Sequence, residues 1–174
     1  GLVGEQGRVY SFEPEPRNYS HLLEHIELNS AGNVTPVHMA VGAAPHVAEF
    51  FVNADNDGGH ALWEVGRHPF NEQSRQRRDS RRVYVTSLDR FFGEQTLPSL
   101  KAIKIDAEGA EFAILVGARK LLMRHRVPFV IAEVNRFGLD SMGASENHLR
   151  NVMYELGYET YLFQPGQTSL PKME

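Results

Sequence analysis

Acidic side chains follow three of the predicted β-strands, and these residues are the ones best placed for chemistry. Glu13 follows the β-rich residues 8–12, Asp106 ends the strand predicted over residues 102–106, and Glu133 follows the apolar residues 129–132. In a sheet of alternating strands and helices, ligands bind outside the carboxyl ends of the strands. An acid there can accept hydrogen bonds from both hydroxyls of a ribose, which singles out Glu13. The alternative is a solvated carboxylate that caps the next helix.

A denser acidic group surrounds Asp106. Lys104 and Asp106 share one strand face, while Glu108 and Glu111 can share one face of the helical turn that follows. Gly109 between them lets a ligand or a second backbone approach closely. Such carboxylates could hold a divalent cation, or supply a general base whose pKa is raised by its neighbours. We expect a functional role for Asp106, and for Glu111 only stabilisation of the positive end of the helix.

Basic residues offer weaker signals. His60 follows two glycines in an irregular stretch and could act as a base or contact the substrate, although a lone loop histidine is more often inert. The histidine spacing argues against zinc. A local basic patch could contact phosphate or nucleic acid; it consists of Arg75, Arg77, Arg78, Arg81 and Arg82. We expect a solvated charged loop instead, because no aromatic residues are interleaved with these arginines.

Composition narrows the class of protein. The chain has 174 residues, no Cys and a formal net charge of −4, which fits one globular domain and argues against a globally basic nucleic-acid binder. Without cysteine, disulfides and thiolate metal sites are excluded. No apolar run approaches the roughly 20 residues that span a bilayer. The chain opens on Gly1 with no visible signal peptide, and we expect a cytoplasmic protein without a membrane partner.

The elements that must position these acids alternate between strands and helices. Strands are predicted over residues 8–12, 34–41, 47–52, 83–86, 102–106, 129–132 and 160–163. Helices are predicted around residues 19–26, 88–92, 108–124 and 149–156, from apolar residues at helical spacing or from capping residues. The run 129–132 is apolar throughout, which is typical of a strand buried on both faces. The pattern predicts one α/β domain with a doubly wound, mostly parallel sheet, interrupted by an irregular insertion loop over residues 53–81.

Several of these motifs, in this order, resemble the FkbM family of S-adenosylmethionine-dependent methyltransferases. The resemblance covers about residues 8–163 and rests on VYSFEP (9–14), Asn29 with Asn33 and Val34, AVG (40–42), VTSLD (85–89), IKIDAEGAE (103–111) and the apolar strand that ends at Glu133. The segment KIDAEGAE is the most specific of these, whereas FEP alone would be weak.

The resemblance implies a class I, Rossmann-like methyltransferase sheet with S-adenosylmethionine bound across its central strands. It implies that Glu13 and Pro14 contact the cofactor ribose, that the backbone of Met39 and Ala40 lies near the adenine, and that Asp106 lies beside the methionine moiety or the acceptor. Members of the family methylate hydroxyl oxygens of small molecules or sugars. Such a reaction needs an aligned oxygen nucleophile and a group that accepts its proton. Asp106, Glu108, Glu133 and His60 all remain candidates for that group.

One departure from the family concerns the first strand. The glycine-rich loop of the family and the strand before it belong upstream of residue 8, and the sequence contains no such loop. That strand is the central one of the family's sheet, so we expect an N-terminally incomplete domain that binds cofactor weakly or not at all, and whose unpaired edge could drive homodimer formation. Two other functions stay open: an inactive Rossmann-like domain that binds a partner, and a nicotinamide-dependent oxidoreductase.

Overall fold

The computed structural model of the protein describes residues 3–4, 6–93, 97, 99–163 and 172. Its strands are β1 (Val9–Phe12), β2 (Val34–Val37), β3 (Ala40–Val41), β4 (His46–Phe51), β5 (Ser80–Thr86), β6 (Ala102–Ile105) and β7 (Phe129–Ala132). Its helices are α1 (Pro16–Leu28), α2 (Glu72–Gln76), α3 (Leu88–Phe92), α4 (Glu111–Val116), α5 (Arg119–His125), α6 (Arg136–Ser141) and α7 (Glu146–Glu155), with a 3-10 turn at Val65–Arg67.

Parallel strand pairs carry the acidic residues. Strands β1 and β2 are parallel, with Phe12 opposite Val37, and β6 and β7 are parallel, with Ile105 opposite Ala132. Helices α1 and α4–α5 make the two crossovers, as parallel pairing requires. Within the described ranges, β1 is hydrogen-bonded only to β2 and β6 only to β7. The mixed α/β class is therefore confirmed, while the complete doubly wound order stays a prediction.

A third sheet differs from the predicted parallel arrangement. It has the order β3-β5-β4, in which β3 is parallel and β4 antiparallel to β5. The single strand predicted over residues 34–41 is divided, because the chain turns at His38 and the Met39 N–H donates to the Val37 carbonyl. The two halves then join different sheets. Hydrophobic alternation cannot reveal such a turn, since both halves are strands.

The segment 53–81 is more regular than predicted. It contains the 3-10 turn, helix α2 and the start of β5. The Asp55 carboxylate accepts hydrogen bonds from the backbone N–H groups of Gln73 and Ser74, each at 2.9 Å, and from the Ser74 hydroxyl at 2.7 Å. These bonds cap α2 from a distance of 18 residues or more in sequence and join the two ends of the segment.

The helix predicted over residues 108–124 is two helices, because the chain departs from helical geometry at Gly117 and Ala118. The backbone of Gly117 lies against the carbonyl oxygen of Gly42, where no side chain would fit. The break therefore lets the connection after β3 approach the helix layer closely. Helix α3 follows the prediction, with the Ser87 hydroxyl accepting from the Arg90 N–H.

The main core lies between β6–β7 and the helices α3 to α7. Its fully buried members include Leu115, Leu122 and Leu139. Strand β7, which the sequence predicts to be buried on both faces, presents only Val130 and Ala132 to this core, while Phe129 and Ile131 are exposed. That prediction is wrong because the described helices cover one face only.

The C-terminal end of the described chain also differs from the prediction. Helix α7 is present and is capped by the Ser145 hydroxyl, which accepts from the His148 N–H. The strand predicted over residues 160–163 is reduced to an isolated bridge between Tyr161 and Lys172. In the described part of the chain, none of the helices has the length and apolar composition needed to cross a bilayer.

Candidate active site

The three acids lie where the sequence predicts them. Phe12, Ile105 and Ala132 are the last residues of β1, β6 and β7, so Glu13, Asp106 and Glu133 directly follow parallel strands. The Glu133 N–H donates to the Ile105 carbonyl at 2.9 Å, which extends the β6–β7 pairing to this edge. Asp106 and Glu133 therefore share one sheet edge. The described structure gives no direct contact between these two acids and Glu13.

Glu13 is held by the turn into α1. Its Oε1 accepts from the backbone N–H of Glu15 at 2.7 Å. Burial raises the pKa of the Glu13 carboxyl; the hydrogen bond from Glu15 opposes the shift, the nearby Glu15 carboxylate reinforces it and His38 lowers it. Pro14 then leads into a helix start formed by the Glu15 cap and Pro16.

Glu15 is the buried centre of this region. Only 2% of the residue is exposed, and its Oε2 accepts from the Asn18 N–H at 2.8 Å to cap α1. Its Oε1 accepts from the guanidinium of Arg81 at 2.6 Å, a partner 66 residues away. This ion pair fastens β5 to the end of β1.

All five arginines of the basic patch are exposed, as predicted, but three of them make side-chain contacts and the segment is not simply a loop. Arg75 donates to the backbone carbonyls of Gly66, His68 and Pro69. Arg78 pairs with Glu49 and Glu64 and lies over the ring of Phe51. Of the five arginines, only Arg77 and Arg82 have no side-chain partner among the described residues.

His60 lies near the Glu15–Arg81 pair. Its Nδ1 accepts from the backbone N–H of Asn53 at 2.9 Å. Burial lowers the pKa of His60, against the opposing charges of Glu15 and Asp57. In the neutral ring the accepting Nδ1 carries no proton, so Nε2 carries it and is a donor. His60 is thus arranged to donate a hydrogen bond.

Met39 and Ala40 lie at the junction of β2 and β3. Ala40 is buried and begins β3, while Met39 is partly exposed. The preceding His38 stacks on the ring of Tyr19 from α1, with centroids 4.4 Å apart and an interplanar angle of 11°. The junction therefore places the exposed residue Met39 beside a stacked aromatic pair.

At the end of β6, Asp106 is exposed and its Oδ2 pairs with Lys104 Nζ at 2.7 Å. This contact confirms that the two residues share a strand face. The pair is exposed, so its contribution to stability is small, about 1 kcal/mol or less.

Glu108 occupies a tight turn with a left-handed backbone, φ 49°. Its Oε2 accepts from the side-chain amide of Asn135, whose own oxygen accepts from the Gly138 N–H at 2.8 Å and so caps α6. The Glu108 carbonyl accepts from the indole N–H of Trp63 at 2.7 Å. The Glu108 carboxylate is therefore oriented by the start of α6, and the Glu108 backbone by the 53–81 segment.

Gly109 is required by this turn. It has φ 105°, and a Cβ there would overlap the backbone of Gly138 in α6. The expectation that Gly109 lets a second backbone approach closely is confirmed, and the partner is α6. The two glycines fix the distance between Glu108 and Asn135.

Glu111 is buried, with 1% of the residue exposed, and does not lie on a helix face with Glu108. Its Oε1 accepts from the Gly109 N–H at 2.9 Å, while its buried Oε2 has no partner among the described residues. Burial raises the pKa of Glu111; hydrogen bonding, first from Gly109, opposes the shift. The prediction that Glu111 merely stabilises a helix end is therefore incomplete, because it also closes the turn that holds Glu108.

Among the described residues, metal-ligating clusters do not add to this site, and one surface depression lies away from it. In the described part of the chain, no cluster of three or more His, Asp or Glu side chains could hold a metal ion. One surface depression is lined by Gly7, Arg8, Asn33 and Thr35, at the amino end of β1 and β2. That is the end opposite the one where ligands bind in such sheets.

Comparison with known proteins bears on what this arrangement does. The chain matches a family model, described as the methyltransferase FkbM domain, over residues 2–160. The chain belongs to the FkbM methyltransferase family. The resemblance drawn from its motifs is confirmed, and the usual cofactor of this family is S-adenosylmethionine.

A solved structure is also similar to this FkbM domain. It is the crystal structure of methyltransferase FkbM from Methylobacillus flagellatus KT, with 15% sequence identity and a TM-score of 0.54 over 88% of this chain and 32% of that chain. At this identity the similarity supports the fold alone. The chain spans about a third of the length of that protein. No curated protein matches the chain.

The sequence pattern does not single out several residues of the candidate site. Glu15 could have been found, since an acid directly before Pro16 is a helix-start signal. Asn135 carries a similar signal at the start of α6. Arg81 and Trp63 could not, because their partners lie 66 and 45 residues away in sequence.

Proposed function

We propose that this methyltransferase transfers a methyl group from S-adenosylmethionine to a hydroxyl oxygen of a small molecule or sugar. The observation that carries the proposal is the position of Glu13, Asp106 and Glu133, each directly after a parallel strand of an FkbM domain. Ligands of such sheets bind at this edge, and carboxylates there can bind hydroxyl groups and accept protons.

The residues at the end of β1 fit the ribose of this cofactor. Among the described residues nothing donates to Oε2 of Glu13, so this oxygen can accept from ribose hydroxyls. We assign Glu13 and Pro14 to the ribose, the backbone of Met39 and Ala40 to the adenine, and Asp106 to the methionine moiety or the acceptor. When bound, the cofactor supplies a methyl group on positively charged sulfur; transfer breaks the carbon–sulfur bond, leaves its electrons on sulfur and forms a carbon–oxygen bond.

Glu108 is the base that the geometry favours. His60 presents a donor at Nε2, Asp106 is paired with Lys104, and Glu133 has no described side-chain partner to orient it. Glu108, in contrast, is oriented by Asn135, and its Oε1 has no described partner. We infer that this oxygen accepts the acceptor's hydroxyl proton as the carbon–oxygen bond forms, because a positioned carboxylate is an effective general base.

One more strand would complete the cofactor site. Strands β1 and β6 both contribute residues to the main core, Tyr10 and Phe12 from β1 and Ile105 from β6, yet they are not hydrogen-bonded to each other. We propose that a parallel strand, followed by a glycine-rich loop and a helix, lies between them. Its loop would supply backbone N–H groups for the cofactor at the same edge as Glu13 and Asp106.

A partner-binding role without catalysis is the second candidate. It is favoured by the exposed side chains of Phe129 and Ile131 on the uncovered face of β7, since exposed apolar patches often mark interaction sites. Cofactor binding without methylation of any acceptor would support this role.

Calorimetric titration of S-adenosylhomocysteine tests the cofactor assignment. In a form of the chain extended upstream through the proposed strand, loop and helix, we expect Glu13→Gln to weaken binding about tenfold, since hydrogen bonds to a charged group contribute about 1.5–3 kcal/mol. Glu27→Gln, an exposed change on α1, is the matched control and should leave affinity unchanged. Equal affinity of the Glu13→Gln variant and the parent, or displacement of the ligand by NAD, would contradict the proposal.

A further inference from the structure

Four aromatic rings form a cluster beside the Glu108 turn. Trp63 contacts Phe137 with ring centroids 5.4 Å apart, and His68 contacts the same Phe137 at 4.5 Å and Phe70 at 5.5 Å. We call Trp63, His68, Phe70 and Phe137 the aromatic cluster. Tilted and edge-to-face arrangements such as these are the favoured geometries for aromatic pairs.

The aromatic cluster and the Glu108 carboxylate share one rigid base. The Trp63 indole N–H donates to the Glu108 carbonyl at 2.7 Å. Phe137 lies two residues after Asn135, the residue that orients the Glu108 carboxylate. Gly109 and Gly138 keep the Glu108 turn and helix α6 in backbone contact. The distance from carboxylate to rings is therefore set by backbone geometry.

Exposure within the aromatic cluster is uneven. Trp63 is buried against Phe51, Ala61 and Val65 and anchors the group. Phe70, in contrast, is 86% exposed and Phe137 36% exposed. The His68 Nδ1 accepts from the Phe70 N–H at 3.3 Å, which ties the exposed ring to the anchored ones. The cluster thus presents aromatic surface to solvent beside an oriented carboxylate.

From this juxtaposition we infer that the acceptor is a neutral aromatic alcohol whose ring lies against Phe70 and Phe137 while its hydroxyl group reaches Glu108. The ring would extend the tilted packing already present. The carboxylate accepts a hydrogen bond from a neutral hydroxyl, whereas it repels an anionic group at the same place. This inference rests on the proposed function, because it identifies the substrate class of the same site.

The test uses this chain without cofactor. Trp63 is its only tryptophan. The indole N–H resonance of the ¹⁵N-labelled protein therefore reports directly on the aromatic cluster. Phenol is the probe, and cyclohexanol, with the same ring size and a single hydroxyl group, is its control. We expect phenol to shift the resonance saturably and to bind roughly three- to tenfold more tightly than cyclohexanol, as aromatic pairing predicts.

Two matched variants test whether phenol binds to the aromatic cluster or to any exposed aromatic ring. Phe70→Leu keeps an apolar side chain and removes the ring at a site too exposed to affect folding, and should weaken phenol binding about threefold or more. Tyr154→Leu removes a ring that is 82% exposed on α7 and should leave phenol binding unchanged.

The inference is overturned if phenol gives no saturable shift, if the two alcohols bind equally, or if both variants behave alike. Because no cofactor takes part, this failure differs from failure of the proposed function. Phenol binding by a protein that in its extended form binds no S-adenosylhomocysteine would leave the aromatic cluster as a ring-binding surface and remove the methyl-transfer role.

Discussion

The turns after β1 and β6 each bury one glutamate almost completely, and they do so in different ways. Glu15 and Glu111 each accept a backbone N–H through one carboxylate oxygen. The other oxygen of Glu15 pairs with Arg81 at 2.6 Å, whereas the other oxygen of Glu111 is buried without a partner in the part of the chain that the structure describes. One carboxylate is therefore compensated by a distant cation, and the other is not.

This difference separates two structural roles. An unpaired buried carboxylate favours its neutral form, so the Glu111 turn is fixed mainly by local geometry and hydrogen bonding. The Glu15–Arg81 pair instead connects sequence positions that lie far apart, and its charges act on the nearby His60. We therefore expect substitutions within the β6 turn to disrupt that turn. We expect removal of the distant Arg81 charge to weaken the attachment of β5 to the β1 turn.

The largest effect is expected for Gly109→Ala, in the β6 turn. A side chain there requires a strained φ of 105° and overlaps the Gly138 backbone, so we expect a loss of about 3–5 kcal/mol in the free energy of unfolding. Urea denaturation measures it. Gly143→Ala is the matched control: it also has positive φ, 74°, but open space around it, and should cost only about 1 kcal/mol. Equal losses for the two variants would show that contact with α6 does not matter.

The next largest effect is expected for Arg81→Met, which leaves the Glu15 charge buried without its cation. We expect a loss of about 1–3 kcal/mol, less than for a fully buried pair, because Arg81 is 43% exposed on its side chain. The neighbouring Arg82→Met, at an exposed residue with no described partner, should be nearly neutral.

A second substitution checks the physical cause. Glu15→Gln added to Arg81→Met should recover part of the loss, because it removes the uncompensated charge and keeps the acceptor for Asn18. If the double variant is less stable than Arg81→Met by the full cost of Glu15→Gln alone, the two side chains are not coupled.

A pH-dependent effect is expected from Glu111. Burial raises the pKa of its carboxyl, so the native state holds the proton more tightly than the unfolded chain. The contribution to stability is complete below the ordinary pKa of 4.5 and is lost as pH rises through the raised pKa, at no more than about 1.4 kcal/mol per pH unit. Urea denaturation across this range should show a smaller loss in Glu111→Gln than in the parent, because the raised pKa of Glu13 still contributes, and the control Glu24→Gln should keep the full loss. A parallel pH dependence in Glu111→Gln and the parent would refute the assignment.

The smallest effect is expected for Trp63→Phe. It keeps a ring in the core and removes the hydrogen bond to the Glu108 carbonyl, at a cost of about 1 kcal/mol. Thermal unfolding with the exposed change Tyr84→Phe as control measures the loss. No difference between these variants would mean that the indole N–H does not stabilise the β6 turn.

The strands and helices are more predictable from the sequence than the contacts that connect them. Strand-end acids and caps such as Ser87 are local signals, so Glu13, Asp106 and Glu133 were placed correctly. The prediction that both faces of β7 are buried is wrong, because an apolar run does not reveal whether another element covers each face. The pairing of Arg81 with Glu15 and of Trp63 with Glu108 depends on tertiary contacts between distant segments, which one sequence does not encode as a visible pattern.

We propose that the turns after β1 and β6 form the two sides of one S-adenosylmethionine site with an additional strand between them. Calorimetric titration of S-adenosylhomocysteine into this chain, and into the form extended upstream through that strand, its loop and its helix, tests it most directly. We predict binding by the extended form alone. Binding by neither form would contradict the cofactor assignment, and equal binding by both would contradict the role given to the strand.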